Sequence, residues 1–386
     1  MIKRIMVVYG TRPEAIKVAP LITALEGSKS LDPIVAVTGQ HREMLDQVNH
    51  LFGIRPNWDL NLMVPGASLT DFSGSALSRI GKLIADDRPD AVVVQGDTST
   101  AFIGALAAFY QKVPVIHLEA GLRTSDIRSP FPEEANRVLT ARIADLHLAP
   151  TKVSADNLLN EGVAQDSVVV TGNTVIDAIK TAVQSPARFS SARLSDLVSS
   201  KAKFVLVTAH RRESWGKPMV EAMSAIRQVA RTQPETQWVV PMHRNPVVRE
   251  IIEEALGDVP TALLMEPLSY HEFSHTMQAA HLILTDSGGV QEEAPSLGRP
   301  VLVMRESTER PEAVAAGTAR LVGTASDSIR RQLELLLTDD VSYANMARAV
   351  NPYGDGRAAT RALAAIEELM GVGRRLPDFT SATEQS

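Results

Sequence analysis

The sequence predicts an α/β protein built from two doubly wound domains, each with a parallel sheet covered by helices. Short runs of Val, Ile, Leu and Ala alternate with longer amphipathic or Ala-rich stretches in the first half of the chain, and the alternation restarts in the second half. Runs that are apolar throughout are typical of parallel strands buried on both faces. The 386 residues also exceed the usual size of a single core.

The apolar runs give the expected strands and the domain boundaries. In the first half they lie at residues 5–8, 34–37, 91–94, 113–118 and 146–149. In the second half they lie at residues 204–208, 238–241, 262–265, 282–285 and 300–304. A Ser- and Arg-rich stretch without apolar periodicity places the boundary within 171–203. We predict domains at 1–170 and 171–356, a helix at 357–372 that packs back on the first domain, and a loose tail at 373–386.

The composition limits the class of protein. With 44% hydrophobic and 22% charged residues the chain is globular, and a net charge of -6 argues against a nucleic-acid partner. The absence of cysteine excludes disulfides and Cys-bound metal, and it fits a reducing cytoplasm. The first nine residues predict a strand rather than a signal peptide. The longest uncharged apolar tract, 98–111, is too short to span a bilayer, so no membrane role is expected.

The clearest binding signal lies at residues 282–293. An apolar strand is followed by Ser287, Gly288 and Gly289 and then by a predicted helix that contains Glu293. Free backbone N–H groups and the positive end of a helix dipole at such an elbow favour a phosphate group. Glu293 cannot favour phosphate, but it can accept hydrogen bonds from ribose hydroxyls. The pattern therefore predicts a nucleotide site.

Cations follow two of the predicted strands. Ligands of open parallel sheets bind beyond the carboxyl ends of the strands, so these positions matter most. Arg12 and Lys17 lie at a helix start, where a cation works against the dipole, and we interpret them as a clamp for an anion. A solvated first turn is the alternative. His210 opens a cationic loop and is interpreted as a phosphate contact; an ordinary surface loop is the alternative.

Three acidic positions complete the candidate site. Asp97 follows a strand, although it could also be the N-cap of the next helix. Glu119 lies between an apolar strand and a glycine, where it has no capping role, which favours acid or base chemistry. Glu133, or its neighbour Glu134, is the third, and either could instead complement a helix N-terminus. Carboxyl groups that converge raise one another's pKa and can supply an acid and a base together.

One motif suggests zinc. His271 and His275 match the H-E-x-x-H signature of metalloproteases, with His281 as a third candidate ligand. On a helical projection the two histidines lie opposite an apolar stripe that contains Phe273, so we expect them to point to solvent and predict no metal site. Neither a P-loop nor a G-x-G-x-x-G motif occurs in the sequence.

Together these motifs resemble those of the non-hydrolysing UDP-N-acetylglucosamine (UDP-GlcNAc) 2-epimerases. The resemblance runs through residues 10–17, 38–41, 95–98, 117–124, 130–137, 171–174, 210–213 and 286–293. It implies a glycosyltransferase-B-like architecture of two Rossmann-like domains with the active site in the cleft between them. It also implies interconversion of UDP-GlcNAc and UDP-N-acetylmannosamine (UDP-ManNAc), in the cytoplasm, by a homodimer that serves cell-envelope polysaccharide synthesis. No cofactor or metal is implied.

The resemblance assigns roles to residues of this sequence. Asp97, Glu119 and Glu133 match the family's essential acids, whose individual roles stay open, and His210 joins them as a catalytic and substrate-binding residue. The other implied substrate contacts are Arg12, Lys17, Ser287, Gly288, Gly289 and Arg310 at the diphosphate, Glu293 at the ribose, and Leu268 and Phe273 around the uracil. Loss of UDP from C1 makes the C2 proton removable, so a 2-acetamidoglucal intermediate is expected.

Three alternatives remain at this point. A hydrolysing relative would release free ManNAc and UDP, a retaining glycosyltransferase would need an acceptor, and a catalytically silent UDP-sugar sensor would keep only the elbow. Three acids near C2 favour epimerisation over the last two. The chain departs from family members that need a second UDP-GlcNAc, since it has Glu43 and residues 65–67 (Pro-Gly-Ala) in those regions. We therefore predict weak or absent substrate activation.

Overall fold

The chain forms two compact units, shown by a computed structural model that describes residues 2–39, 42–63, 66–211 and 214–381, without the side chains of 42 and 43. The first unit comprises residues 2–178 and 353–380, and the second comprises residues 179–352 with Ser381. Within the described residues, no helix is both long enough and apolar enough to cross a membrane.

The first unit is built on a parallel sheet whose described residues form seven strands. They are β1 (Lys3–Tyr9), β2 (Leu31–Val37), β3 (Trp58–Asp59), β4 (Ala91–Gln95), β5 (Val115–Leu118), β6 (Leu146–Ala149) and β7 (Val168–Val170). Their order across the sheet is β3-β2-β1-β4-β5-β6-β7. The chain therefore reverses its direction of strand addition between β1 and β4, and their carboxyl ends flank the point at which ligands of open sheets bind.

The second unit repeats this plan with six strands in its described residues. They are β8 (Phe204–Thr208), β9 (Gln237–Pro241), β10 (Ala262–Met265), β11 (Leu282–Thr285), β12 (Val301–Val303) and β13 (Ala319–Leu321). The order β10-β9-β8-β11-β12-β13 places the reversal between β8 and β11. The fold class predicted from the apolar runs, two parallel-sheet α/β domains, is confirmed.

Helices connect the strands. In chain order they are α1 (Arg12–Glu26), α2 (Arg42–Leu51), α3 (Leu69–Asp87), α4 (Ser99–Tyr110), α5 (Glu133–Ile143), α6 (Lys152–Asn160), α7 (Thr174–Ala182), α8 (Ala192–Ser200), α9 (Lys217–Thr232), α10 (Pro246–Leu256), α11 (Tyr270–Ala279), α12 (Gly288–Glu293), α13 (Pro311–Ala315), α14 (Ser326–Thr338), α15 (Asp340–Ala347) and α16 (Ala358–Leu369).

Local sequence fixes the helix that follows β1. Thr11 is the N-cap of α1, and Glu14 returns its side chain to the Thr11 N–H at 2.7 Å, which satisfies two otherwise unpaired donors. On α4, Gly104 allows a close approach to the sheet, because a Cβ there would lie 3.2 Å from Val94 and 3.5 Å from Val8. These contacts hold the helix starts beside the carboxyl ends of β1 and β4.

The unit boundaries differ from the predicted ones. The first unit extends to Ala178 rather than to residue 170, and the chain re-enters this unit at Tyr353 rather than at residue 357. The reason is hydrogen bonding between the two crossing segments: the N–H of Asn173 donates to the Tyr353 carbonyl at 2.7 Å, and Asp177 accepts the N–H groups that open α16. Helix α16 packs against α1 of the first unit.

The segment after α16 is not loose up to residue 381, contrary to the expectation for 373–386. Phe379 is 9% exposed, and its N–H donates to the Val170 carbonyl of β7 at 2.7 Å. The Arg361 guanidinium lies 5.4 Å from the centre of the Phe379 ring. A single aromatic residue in a polar stretch anchors the segment, and apolar periodicity does not reveal such an anchor. Residues 382–386 lie outside the described part of the chain.

Candidate functional site

Asp97 follows β4 and is fixed by α5. Its backbone carbonyl accepts a hydrogen bond from Asn136 Nδ2 at 2.9 Å, and its Oδ2 lies 3.3 Å from Arg137 Nη1. The alternative that Asp97 caps the next helix is wrong, because Thr98 is the N-cap of α4 and accepts from Ala101 N–H. The carboxyl group of Asp97 is therefore available for chemistry.

Glu119 directly follows β5 and takes an unusual backbone conformation. Its φ is 63°, in the left-handed region that residues with a side chain rarely adopt. Three donors hold its carboxylate: Lys17 Nζ at 2.5 Å, Gln95 Nε2 at 2.5 Å, and Asn173 Nδ2 at 3.0 Å. Strained residues held by several neighbours cluster at functional sites, where the surrounding structure compensates about 1–3 kcal/mol of strain.

Glu133 and Glu134 begin α5 but have different surroundings. Glu134 is 2% exposed, lies 2.8 Å from Arg137 Nε, and accepts the Thr124 N–H, so it serves the structure of the loop. Glu133 is partly exposed, and its charge acts on Asp97. Of the two, Glu133 is the one whose charge raises the pKa of Asp97, and its role as the third acid stays a prediction.

The pKa of Asp97 is raised above its ordinary value. Burial is the main cause, and the charges of Glu119 and Glu133 add to it, while Arg137 and Lys17 act in the opposite direction. A Cβ on Gly96 would lie 3.5 Å from Glu119 Oε2, which shows how closely the loops after β4 and β5 approach. In the first unit, the charges of Glu119 and Glu133 thus both act on the carboxyl group of Asp97, and a raised pKa of this kind is typical of groups that exchange protons in catalysis.

The two cations of the predicted clamp have different neighbours. Lys17 is 16% exposed in its side chain and binds Glu119, so it belongs to the acid group. Arg12 is the first residue of α1 and is partly buried beside the carboxyl end of β1. Sequence reasoning missed Glu14, which is 1% exposed and accepts the Thr98 hydroxyl at 2.6 Å. Burial raises the pKa of Glu14, against the effect of its hydrogen bonds.

His210 follows β8 in the second unit. Its Nδ1 lies 3.1 Å from Oδ1 of the buried Asp286, which also accepts the N–H groups of His210 and Arg211 at 2.9 Å. Burial alone would raise the pKa of Asp286, but His210 and these two N–H groups hold it below its ordinary range. Asp286 is a second residue that the sequence interpretation missed. Its position at the end of β11, directly before the elbow, was the available signal.

The predicted elbow, defined by Ser287, Gly288 and Gly289, joins β11 to α12. Ser287 is the N-cap of α12 without a side-chain cap, and its own N–H donates to Thr285 Oγ1 at 2.9 Å. Gly288 and Gly289 form the first turn, where backbone N–H groups have no partner within the helix. Because β8 and β11 flank the reversal of strand order, the elbow lies at the ligand-binding point of its sheet.

Glu293 ends α12 and is 7% exposed. Its Oε1 accepts the hydroxyl of Tyr270 at 2.9 Å, and burial and the Glu293 charge raise the pKa of that tyrosine well above its usual value. Tyr270 therefore stays protonated and keeps the carboxylate oriented. Leu268 and Phe273, the predicted uracil neighbours, are partly exposed before and within α11.

Arg310 is bound to α12 rather than alone at the surface. Its Nε donates to Oε1 of Glu292, which is 1% exposed, and the Arg310 side chain itself is only 12% exposed. A diphosphate contact by Arg310 stays a prediction, and the buried Glu292 compensates part of its charge. Sequence patterns cannot show this pairing, because it depends on how the loop before α13 packs on α12.

The zinc-like motif gives a correction. His271 and His275 do not point to solvent: His275 is 7% exposed, and Nε2 of His271 lies 3.0 Å from Ser185 Oγ. The helical projection failed because the segment before α8 covers the second face of α11, where Ser190 also donates to Glu272. Over the described residues, no group of three or more acidic or histidine side chains could hold a metal ion.

Comparisons with known proteins identify the family of the chain. Residues 23–367 match the sequence profile of the UDP-N-acetylglucosamine 2-epimerases. The chain is 50% identical over 369 residues to the UDP-N-acetylglucosamine 2-epimerase of Escherichia coli K12, covering 94% of this chain and 98% of that one. It therefore belongs to the UDP-N-acetylglucosamine 2-epimerase family, whose members are isomerases.

Solved structures show the same architecture. A Staphylococcus aureus MnaA structure with UDP has a TM-score of 0.89 at 46% identity, covering 98% of this chain and 100% of that chain. The UDP-GlcNAc 2-epimerase of Neisseria meningitidis bound to UDP-GlcNAc has a TM-score of 0.85 at 44% identity, covering 95% and 100%. The glycosyltransferase-B-like fold class expected from the motifs is confirmed.

Proposed function

We propose that the protein interconverts UDP-GlcNAc and UDP-ManNAc by elimination and re-addition of UDP. The C1–O bond to UDP breaks, the C2 proton is removed, and 2-acetamidoglucal forms. A proton then returns to C2 on the opposite face while the diphosphate oxygen adds back to C1. Atoms balance without an oxidant, and no step needs a cofactor. Substrate-bound relatives and the grouping of Asp97, Glu119 and Glu133 support the proposal.

The convergence of these three acids is the observation that carries the proposal. Inversion at C2 needs one group that removes a proton and another that returns one from the opposite side. The raised pKa of Asp97, caused mainly by burial, suits a residue that takes up and releases a proton during the reaction. Glu119, ion-paired with Lys17, would supply negative charge to stabilise a positive anomeric centre. Glu133 is the remaining candidate for the second proton transfer.

The second unit would serve the leaving group. Charge develops on the diphosphate as the C1–O bond breaks, and the elbow N–H groups and His210 present donors for it. Oriented donors of this kind stabilise a transition state by about 3–4 kcal/mol each. Glu293, fixed by Tyr270, would accept the ribose hydroxyls. Arg12, Arg310, Leu268 and Phe273 complete the proposed contacts to UDP.

Incubation with UDP-GlcNAc in D₂O, followed by NMR, tests the reaction. Epimerisation predicts a mixed UDP-sugar pool with deuterium at C2. Free ManNAc in amounts equal to UDP would instead indicate a hydrolysing enzyme. A retaining transferase predicts no exchange until an acceptor is added, and a sensor predicts binding without any exchange.

We also propose a homodimer that acts in the cytoplasm in the synthesis of cell-envelope polysaccharide. The C-terminal end of α4 supports self-association, because the neighbouring rings of Phe109 and Tyr110 are 52% and 63% exposed and contiguous exposed apolar patches often mark interfaces. Location and pathway rest on the resemblance to bacterial relatives. Light scattering on the eluting peak of a sizing column measures the mass; a mass of one chain at micromolar concentration contradicts the dimer.

A further inference from the structure

The carboxylate of Glu309 lies among three guanidinium groups beside the elbow. Its Oε1 lies 3.4 Å from Arg211 Nη1 and 3.5 Å from Arg305 Nη2, and its Oε2 lies 3.9 Å from Arg310 Nη1. Each separation is longer than that of a close ion pair, about 2.7–2.9 Å. One anion is thus shared loosely by three cations, and its side chain remains 36% exposed.

The position of Glu309 is set by its two neighbours in sequence. Thr308 donates its hydroxyl to Gln291 Oε1 at 2.7 Å, and Arg310 binds the buried Glu292, so both neighbours are attached to α12. Gln291 in turn donates to the Ser287 carbonyl at 3.0 Å. Glu309 is therefore carried on a segment that is fastened to the same short helix that forms the elbow.

Arg211 connects Glu309 to the elbow itself. A Cβ built on Gly288 would lie 3.4 Å from Arg211 Nη2, so the guanidinium that Glu309 neutralises reaches the first turn of α12. A phosphate at that turn would meet the same guanidinium. The Glu309 carboxylate and a bound diphosphate therefore compete for one set of positive charge.

We propose that Glu309 is a resident anion of the nucleotide site. Its carboxylate pairs with the three arginines when the site is empty, and the diphosphate of the nucleotide displaces it from them. This inference rests on the proposed UDP-sugar function and deepens it. Burial alone would raise the pKa of Glu309, but the charges of Arg211, Arg310 and Arg305 hold it below its ordinary range, so the carboxylate is ionised at neutral pH. The Glu309 carboxylate keeps the three positive guanidinium groups together, and its competition lowers the affinity of the site for the nucleotide. A diphosphate displaces the carboxylate because it offers more negative charge and more acceptor oxygens to the arginines.

The test is Glu309→Gln, which keeps the shape of the side chain and removes its charge. Calorimetry would measure the Kd of UDP, of inorganic pyrophosphate and of uridine for the wild type and the variant. Glu306→Gln is the matched control, because Glu306 lies in the same segment but accepts from Thr324 instead of the arginines. A melting curve verifies that each variant is folded.

Glu309→Gln should bind UDP and pyrophosphate about fivefold more tightly, the effect of removing one exposed ion-pair partner. Uridine affinity and the Glu306→Gln variant should stay within twofold of wild type. Weaker or unchanged UDP binding by Glu309→Gln would overturn the inference, since Glu309 would then only support the arginines. An equal increase in the affinity of Glu309→Gln for uridine would also overturn the inference. So would equally tighter UDP binding by Glu306→Gln. A wild type that does not bind UDP would overturn the proposed function and this inference together.

Discussion

Removal of the Arg137 charge is expected to move the acid limb of the pH–rate profile to higher pH. The guanidinium lies 3.3 Å from Asp97 and opposes the burial and the Glu119 and Glu133 charges that raise the pKa of this carboxyl group. Without the cation, Asp97 keeps its proton to a higher pH. If Asp97 accepts a proton during the reaction, it must be ionised, so activity is lost first on the acid side.

The distance sets the size of this shift. Two unit charges 3.3 Å apart interact by about 1.3 kcal/mol in bulk water and about 5 kcal/mol at an effective dielectric constant of about 20. These energies correspond to about 1 and about 4 pH units. The Asp97 side chain is 29% exposed, which favours the screened value, so we expect a shift of about 1–2 pH units.

Removal of Arg137 alone would leave Glu134 as a buried charge without a cation, at a cost of about 3–5 kcal/mol in stability. We therefore choose the double variant Arg137→Gln/Glu134→Gln, in which two neutral amides can hydrogen-bond to each other. The assay is kcat/KM for UDP-ManNAc as a function of pH, with Glu134→Gln alone as the control that keeps the cation. A folded double variant whose acid limb moves by less than about half a pH unit would refute the reasoning.

Three further predictions follow. Asp97→Asn should lose about a hundredfold or more in turnover with UDP affinity unchanged; Asp156→Asn, on α6 with a side chain 46% exposed, is the control, and unchanged turnover would remove Asp97 from the chemistry. Gly121→Ala should lower the free energy of unfolding in urea by about 3 kcal/mol, because φ is 92° and a Cβ would lie 2.1 Å from a backbone oxygen of α6; a loss below about 1 kcal/mol contradicts this account. Because Glu43 and residues 65–67 depart from the pattern of family members that need a second UDP-GlcNAc, initial rates on UDP-ManNAc alone should show no lag. A lag relieved by traces of UDP-GlcNAc would contradict this prediction. The Glu43 side chain and Pro65 lie outside the described part of the structure.

Ten of the thirteen strands in the described residues could be read from the sequence, because each expected run is mostly apolar and long enough to be distinct. β3, β7 and β13 were not anticipated. β3 and β7 are two- and three-residue strands, and β13 (Ala319–Leu321) contains an arginine that hides its apolar character. Such short segments become strands only because a neighbouring strand offers hydrogen bonds, and that information is tertiary.

The candidate acids could be selected from their positions in the sequence, but their partners could not. Asp97 and Glu119 each follow a buried strand, a rule that needs only local sequence. Arg137 reaches Asp97 from α5, and Lys17 reaches Glu119 from α1. These pairs depend on how helices pack over the sheet, which no spacing in the sequence encodes. For the same reason, residue types alone did not give the burial of His275 or the pairing of Arg310 with Glu292.

The contact between Phe379 and Val170 has a consequence for association between chains. β7 is the last strand of its sheet, and an edge strand presents backbone donors and acceptors that can pair with another molecule. The Phe379 N–H occupies one of these acceptors, and its ring lies beneath the Arg361 guanidinium. The segment after α16 thus covers part of the β7 edge. A shortened chain that lacked this segment would expose the edge and should aggregate more readily.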